Sequence, residues 1–404
     1  MAHGNTFRAS HRLWSACAAA GALWVCSVGL SRAESAAAPA PDQTVSSDSC
    51  GIVTTERVVA VGDVHGAFDR FVAILREAKL IDSRRRWIGG RAVFVQTGDI
   101  LDRGPDSRKV LDLLMKLTGE AGKAGGQVHA LLGNHEAMRL FGVLRDAGPG
   151  EYAAFRSPDS ERLRQRYFDL LLEDNVTRAN DAGTEFDERA FAARFFETTP
   201  LGALEMQLAF GPKADYGRWL RERDAMVKIN GVVFMHGGAS VSTASIGCAD
   251  VNVRVRSELG TVTAADPELE HSLIMGSDGP LWYRGLVDGT PGVGEAEVQR
   301  ILAALGARAI VVGHTVPDRF RIRASYGGRV VQIDTGMLDG EFYPGGVPSA
   351  LEIHGDVWTA IYEGRREVLQ PSVTRMVPKP QGGPSKASGR PAARVAPARA
   401  GKSP

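Results

Sequence analysis

Six side chains able to bind a metal ion lie where short apolar runs end: Asp63, His65, Asp99, Asn134, His236 and His314. They offer carboxylate, imidazole and amide oxygen, and no thiolate. That donor set suits Mn, Fe or Zn and is poorly matched to Ca or to a structural cysteine–zinc site. One Asp-x-His turn would mean little, because a solvated turn explains such a pair most of the time. Five turns with ligand-type residues flanked by glycine are much harder to dismiss. The set is also too large for one tetrahedral ion with an open position, whereas two ions sharing Asp99 would use all six. Two metals roughly 3.5–4 Å apart can hold a bridging hydroxide and clamp the attacking and departing oxygens of an in-line displacement at phosphorus. Coordination lowers the pKa of that water toward neutrality, so no separate protein base is needed.

The departing oxygen needs a proton. His135, next to Asn134, is placed to approach the metals without binding them, and Asp102 could accept a hydrogen bond from it. Such a pair orients the imidazole and favours its protonated form, as a general acid requires. The competing readings of His135 are a seventh metal ligand or a structural histidine. Arg103, inside the second turn, and Arg284, after Leu281-Trp282-Tyr283, are candidate phosphate clamps. A guanidinium has forked donors matched to two phosphate oxygens.

These residues need rigid elements to bring them together. Val58-Val59-Ala60-Val61-Gly62 runs into Asp63-Val64-His65-Gly66, and Ala92-Val93-Phe94-Val95 precedes Gly98-Asp99-Ile100-Leu101-Asp102-Arg103-Gly104. Val128-His129-Ala130-Leu131-Leu132 leads to Gly133-Asn134-His135-Glu136. Later, Val232-Val233-Phe234-Met235 ends in His236-Gly237-Gly238, and Ile310-Val311-Val312 ends in Gly313-His314. Short apolar runs of this kind read as buried strands. Helical spacing follows the first two, with Phe71, Ile74, Leu75 and Ala78, then Val110, Leu111, Leu114 and Leu117. Alternating strand and helix signals predict an α/β layered domain with ligands bound beyond the carboxyl ends of its strands. From about 137 to 228 strand signals cease, and helices are expected at Ser160–Glu173, Asp187–Phe196, Leu201–Phe210 and Tyr216–Val227. This stretch reads as a helical insertion or cap, serving either packing or substrate access. A long polar loop is expected over 239–280, and strands near 329–333, 349–354 and 356–362.

The chain has 404 residues, 44% of them hydrophobic, which is ample for one large catalytic domain with flanking segments. A formal charge of +1 argues against a dedicated nucleic-acid binder. Residues 1–33 have a basic start, an apolar Ala-rich stretch and the small residues Ser31 and Ala33, as an export signal requires; a membrane anchor is the weaker reading. Export to the periplasm or medium is therefore expected, without stable membrane insertion after cleavage. Residues 34–50 form a linker, 51–370 the catalytic domain, and 371–404 a disordered basic tail. Cys50 and Cys248 are the cysteines left after cleavage, and either form one disulfide or stay unpaired.

The five motifs Gly62-Asp63-Val64-His65-Gly66, Gly98 to Gly104, Gly133-Asn134-His135-Glu136, His236-Gly237-Gly238 and Gly313-His314 resemble, in order, the signature of the phosphoprotein-phosphatase branch of the calcineurin-like metallophosphoesterases. The resemblance implies a four-layer α/β/β/α sandwich with two metals at its edge. It places Asp63, His65 and Asp99 at one ion and Asp99, Asn134, His236 and His314 at the other. His135 with Asp102 would be the acid pair, and Arg103 and Arg284 would hold phosphate. The continuation Ala137-Met138, the helical insertion, Trp219-Leu220, Lys228-Ile229-Asn230-Gly231 and Leu281-Trp282-Tyr283-Arg284 resemble the Shewanella-like phosphatases, some of which favour phosphotyrosine. The longer spacing from His135 to His236 departs from the eukaryotic Ser/Thr enzymes.

The expected activity is hydrolysis of phosphate monoesters, on phosphoproteins or small phosphate esters, with Mn as the first ion to supply in vitro. Two rivals are a diadenosine-tetraphosphatase-like nucleotide hydrolase and a catalytically silent metal-binding scaffold.

Overall fold

The computed structural model describes residues 50–262, 266, 269–287 and 293–369. The expected export signal, the expected basic tail and the expected linker up to residue 49 lie outside them. The described residues contain two six-stranded sheets. In one, Val58–Val61 (β2), Val93–Gln96 (β3) and Gln127–Ala130 (β4) run parallel, with Val58 opposite Val93 and Val93 opposite Gln127. Ser349–His354 (β10) pairs antiparallel with β2, and Val357–Tyr362 (β11) and Arg365–Leu369 (β12) extend that edge. The other sheet follows the order Gly51–Ile52 (β1), Met226–Ile229 (β5), Val232–Met235 (β6), Ala309–Val312 (β7), Val330–Gln332 (β9) and Arg323–Ser325 (β8).

Alternation along each strand sorts side chains into two cores. Val58, Ala60, Val93, Val95, Phe234, Val311 and Trp358 pack between the sheets. Val59, Val61 and Phe94 face the other way, onto Phe71, Ile74, Leu111 and Leu114 of the helices Phe68–Glu77 and Ser107–Lys123. Val233, Met235, Ile310 and Val312 do the same toward Val251, Val298 and Ile301 of Cys248–Thr261 and Glu295–Leu305. The expected helix–sheet–sheet–helix sandwich is present. No helix among the described residues is long and apolar enough to cross a membrane.

Two expectations need correction, and one alternative left open by the sequence is settled. The segment 137–228 carries helices Pro149–Phe155, Ser160–Ala182, Glu188–Thr198, Ala203–Ala209 and Asp215–Arg221, but its end is strand. The helix expected over Tyr216–Val227 stops at Arg221, and β5 begins at Met226. Asn230 and Gly231, at φ of 51° and 74°, form the tight turn that pairs β5 with β6. The loop expected over 239–280 contains the helices Val241–Ile246, capped by Ser240 accepting from Thr243 N, and Cys248–Thr261, whose Val251, Val255 and Leu259 share one buried face. Finally, Cys50 and Cys248 form a disulfide, with Cα atoms 5.8 Å apart, tying the chain just before β1 to the start of that helix.

Candidate dimetal active site

The turns after β2, β3, β4, β6 and β7 bring all six predicted metal-binding side chains to one end of the two sheets. All six are buried. The sharp turns after β2, β3 and β7 cost the backbone: His65, Asp99, Asp102, Arg103 and His314 sit at φ of 46°, 55°, 68°, 67° and 63°. Residues other than glycine adopt this left-handed region at a cost that the surrounding structure must over-determine. Glu136 supplies much of that constraint. Its buried carboxylate accepts the N–H groups of Asp99 and Gly133 at 2.8 Å on one oxygen, and those of Ile100 (2.8 Å) and Leu101 (3.2 Å) on the other. Val64 and His65 in turn donate to the Asp99 carbonyl at 2.9 Å. A Cβ on Gly98 or Gly133 would collide where these two turns cross.

Asp99 is the common centre. His65 Nδ1 bonds the Leu101 carbonyl at 2.8 Å and His236 Nδ1 the Thr97 carbonyl at 2.9 Å, which leaves both Nε2 lone pairs facing inward. His65 Nε2 lies 3.5 Å and His236 Nε2 3.3 Å from Asp99 Oδ2. His236 Nε2 is also 2.9 Å from Asn134 Oδ1 and 3.1 Å from His314 Nδ1. Asp63 lies 3.9 Å from His65 Nε2 and accepts the His314 N–H at 3.0 Å. Two groups, His65–Asp99–His135 and Asp99–His236–His314, have donor atoms close enough to hold one ion each. The first differs from the expected set in containing His135 in place of Asp63.

The electrostatics fit cations. Burial, reinforced by other nearby cationic groups, lowers His65 to about 3 and His314 to about 2, so both stay neutral with lone pairs available. Burial and repulsion from Asp334 and Asp99 raise Asp63 well above the usual carboxylate range. Asp99 stays well below it: burial opposes ionisation, but His236, His135 and His65 surround it. Asp334, raised to about 6 mainly by burial, leaves Oδ2 without a partner. Crowded carboxylates and inward lone pairs of N and O type match two hard or borderline divalent ions. One cation already occupies part of this space, since Arg103 Nη1 donates to His65 Nε2 at 2.8 Å and Nη2 to His135 Nε2 at 3.2 Å.

His135 Nδ1 lies 2.8 Å from Asp102 Oδ2, and the backbone N–H of His135 donates to Asp99 Oδ1 at 3.0 Å. Burial would lower its pKa, but Asp99 and Asp102 outweigh burial and raise it. Behind the pair, Arg139 donates to Asp102 Oδ1 and lies 3.4 Å from Glu151 of the helix Pro149–Phe155. Arg284 Nη1 donates to the His314 carbonyl and Thr315 Oγ1, both at 2.8 Å. Arg103 and Arg284 line a cleft of about 700 Å3 together with Asp99, Asn134, His135 and His314. Every predicted site residue is therefore gathered here.

Four residues were not predicted: Glu136, Arg139, Asp334 and Tyr343. Tyr343 lines the cleft, hydrogen-bonds Arg103 and stacks against His65. Asp334 had a signal, since Val330-Val331-Gln332-Ile333 runs into Asp334-Thr335-Gly336 just as the other strands run into their turns. Arg139 and Tyr343 had none, because only the fold brings them to the site.

Comparison with known proteins assigns the family. The sequence model for the calcineurin-like phosphoesterases matches residues 56–318, more than half of the chain, which belongs to that family. It is a metallophosphoesterase with protein-phosphatase relatives. Shewanella-like protein phosphatase 2 of Arabidopsis thaliana is 28% identical over 312 residues, 74% of this chain and 76% of that one. Shewanella-like protein phosphatase 1 of Plasmodium berghei (strain Anka) is 26% identical over 284 residues, 70% of this chain and 67% of that one. The crystal structure of the cold-active protein-tyrosine phosphatase of a psychrophilic Shewanella species superposes with a TM-score of 0.59 at 28% identity, covering 80% of this chain and 82% of that one.

Proposed function

We propose that the chain is an exported protein phosphatase that hydrolyses phosphate monoesters with two bound ions, phosphotyrosine being the leading substrate. The observation that carries this reading is Asp99, whose carboxylate borders both groups of donor atoms beside the His135–Asp102 pair. Asp63, His65 and Asp99 would hold one ion, and Asp99, Asn134, His236 and His314 the other. Two such ions supply Lewis-acid charge and an acidified water as nucleophile. Arg103 and Arg284 bind the non-bridging phosphate oxygens and offset the charge of the transition state. Once phosphate takes the Arg103 guanidinium, His135 Nε2 is free to carry the proton for the departing oxygen. Asp102 fixes the imidazole through Nδ1, and Arg139 fixes Asp102.

The tyrosine preference rests on the similarity to the Shewanella enzyme, and on Trp282 and Tyr343 lining the cleft where an aryl group would lie. Export rests on the leader and accords with the Cys50–Cys248 disulfide, since such bonds persist in oxidising compartments. The nucleotide-hydrolase and silent-scaffold readings are not favoured. Protein spanning Glu34 onward, stripped with chelator and re-loaded with Mn, should hydrolyse a phosphotyrosine peptide faster than its phosphoserine counterpart and than diadenosine tetraphosphate. Preference for the dinucleotide would overturn the reading.

A further inference from the structure

We propose that Arg145 binds a second anionic group of the substrate, the carboxylate of an acidic residue flanking the phosphorylated one. This rests on the phosphatase reading. The cleft of about 700 Å3 is larger than a phosphate group alone would fill, and Arg145 lines it together with Arg103 and Arg284. The phosphate site does not need this third guanidinium. Arg145 is half-exposed, and two contacts tie its segment to the catalytic residues. Arg103 N donates to the carbonyl of Asp146, the next residue, at 2.9 Å. Arg145 Nη2 lies 3.5 Å from the buried Met138 Sδ, on the same helix, Asn134–Leu140, that carries Asn134 and His135. Its Nε donates to Asp146 Oδ2 at 3.1 Å. Nη1 has no hydrogen-bond partner among the described residues, and an exposed pair such as Arg145–Asp146 is weak. A substrate carboxylate can therefore share the guanidinium. Asp146 beside it repels a second phosphate dianion more strongly than a singly charged carboxylate, so the geometry selects an acidic peptide.

Three phosphotyrosine peptides that differ only in acidic, neutral or basic flanking residues test this with the Mn-loaded protein. At low salt the wild type should hydrolyse the acidic peptide with kcat/KM about threefold to fivefold above the neutral one. The preference should fade toward unity by about 0.5 M KCl, as screening requires. Arg145→Gln should abolish the preference and Arg145→Glu should reverse it toward the basic peptide. No preference in the wild type, or the same preference in Arg145→Gln, would overturn the proposal. Turnover of p-nitrophenyl phosphate by the wild type reads the phosphatase assignment separately: with it present, a missing peptide preference sinks only the role of Arg145, and with it absent both fall.

Discussion

His135 Nδ1 stands 2.8 Å from Asp102 Oδ2, both side chains are buried, and the ring's other nitrogen faces the cleft beside Asp99. A general acid is needed only when the leaving group is poor. His135→Asn should therefore lower kcat by about 10²–10⁴ on alkyl or peptide phosphates, and much less on p-nitrophenyl phosphate. The variant should still bind two ions per chain. Equal loss on both substrates, together with loss of an ion, would make His135 a ligand instead.

Asp102 sets the pH at which that acid is spent. Burial alone would lower the His135 pKa, and the Asp99 charge and the Asp102 hydrogen bond raise it. A raised histidine pKa keeps the protonated form to higher pH, so its contribution is full below the ordinary value of 6.5 and lost as pH rises through the raised one. Asp102→Asn removes one raising cause, and the alkaline limb of the kcat–pH profile should move to lower pH. A limb that stayed in place would detach Asp102 from the acid.

Arg139 faces two buried carboxylates, Asp102 and Glu151, with its side chain 1% exposed. Removing one partner of such a cluster leaves charge buried without compensation, at a cost of roughly 3–5 kcal/mol. Arg139→Met should lower stability by that order in urea titrations. A change within experimental scatter would show that water or a neighbour takes over.

The Cys50–Cys248 disulfide closes a loop of 198 residues in sequence separation. Long closed loops lose the most unfolded-state entropy, and removing such a bond typically costs about 2–5 kcal/mol. Thermal unfolding should shift downward with reductant in the wild type, and Cys50→Ser should not respond to it. A Tm indifferent to reductant would mean that the bond adds no stability.

The parallel strands and their turns were legible because buried strands are nearly all apolar and each motif begins where the apolar run stops. The same reasoning pointed to the six candidate metal-binding side chains, which the fold buries together at one end of the two sheets. It lost accuracy where tertiary context decides. Met226-Val227-Lys228-Ile229 follows the helical pattern of the insertion, and only pairing with β6 across the Asn230–Gly231 turn makes it a strand. Cys248–Thr261 is polar enough to read as loop, yet its burial of Val251, Val255 and Leu259 against the second sheet makes it a helix. At the site, Arg139 and Tyr343 reach Asp102 and Arg103 across 37 and 240 residues of sequence, separations that no local pattern records. Glu136 stood inside a motif, but its part in holding the turn at Asp99 appears only once four backbone N–H groups converge on it.

The central claim is that two ions sharing Asp99 are required for phosphate-ester hydrolysis. Chelator-stripped protein should be titrated with Mn while bound ions per chain and p-nitrophenyl phosphate turnover are followed together, in the wild type and in Asp99→Asn. The account predicts no turnover without metal, activity that rises as the second ion binds, and a variant that holds neither ion firmly. Full activity in the stripped protein, or two ions retained per chain by Asp99→Asn, would contradict it.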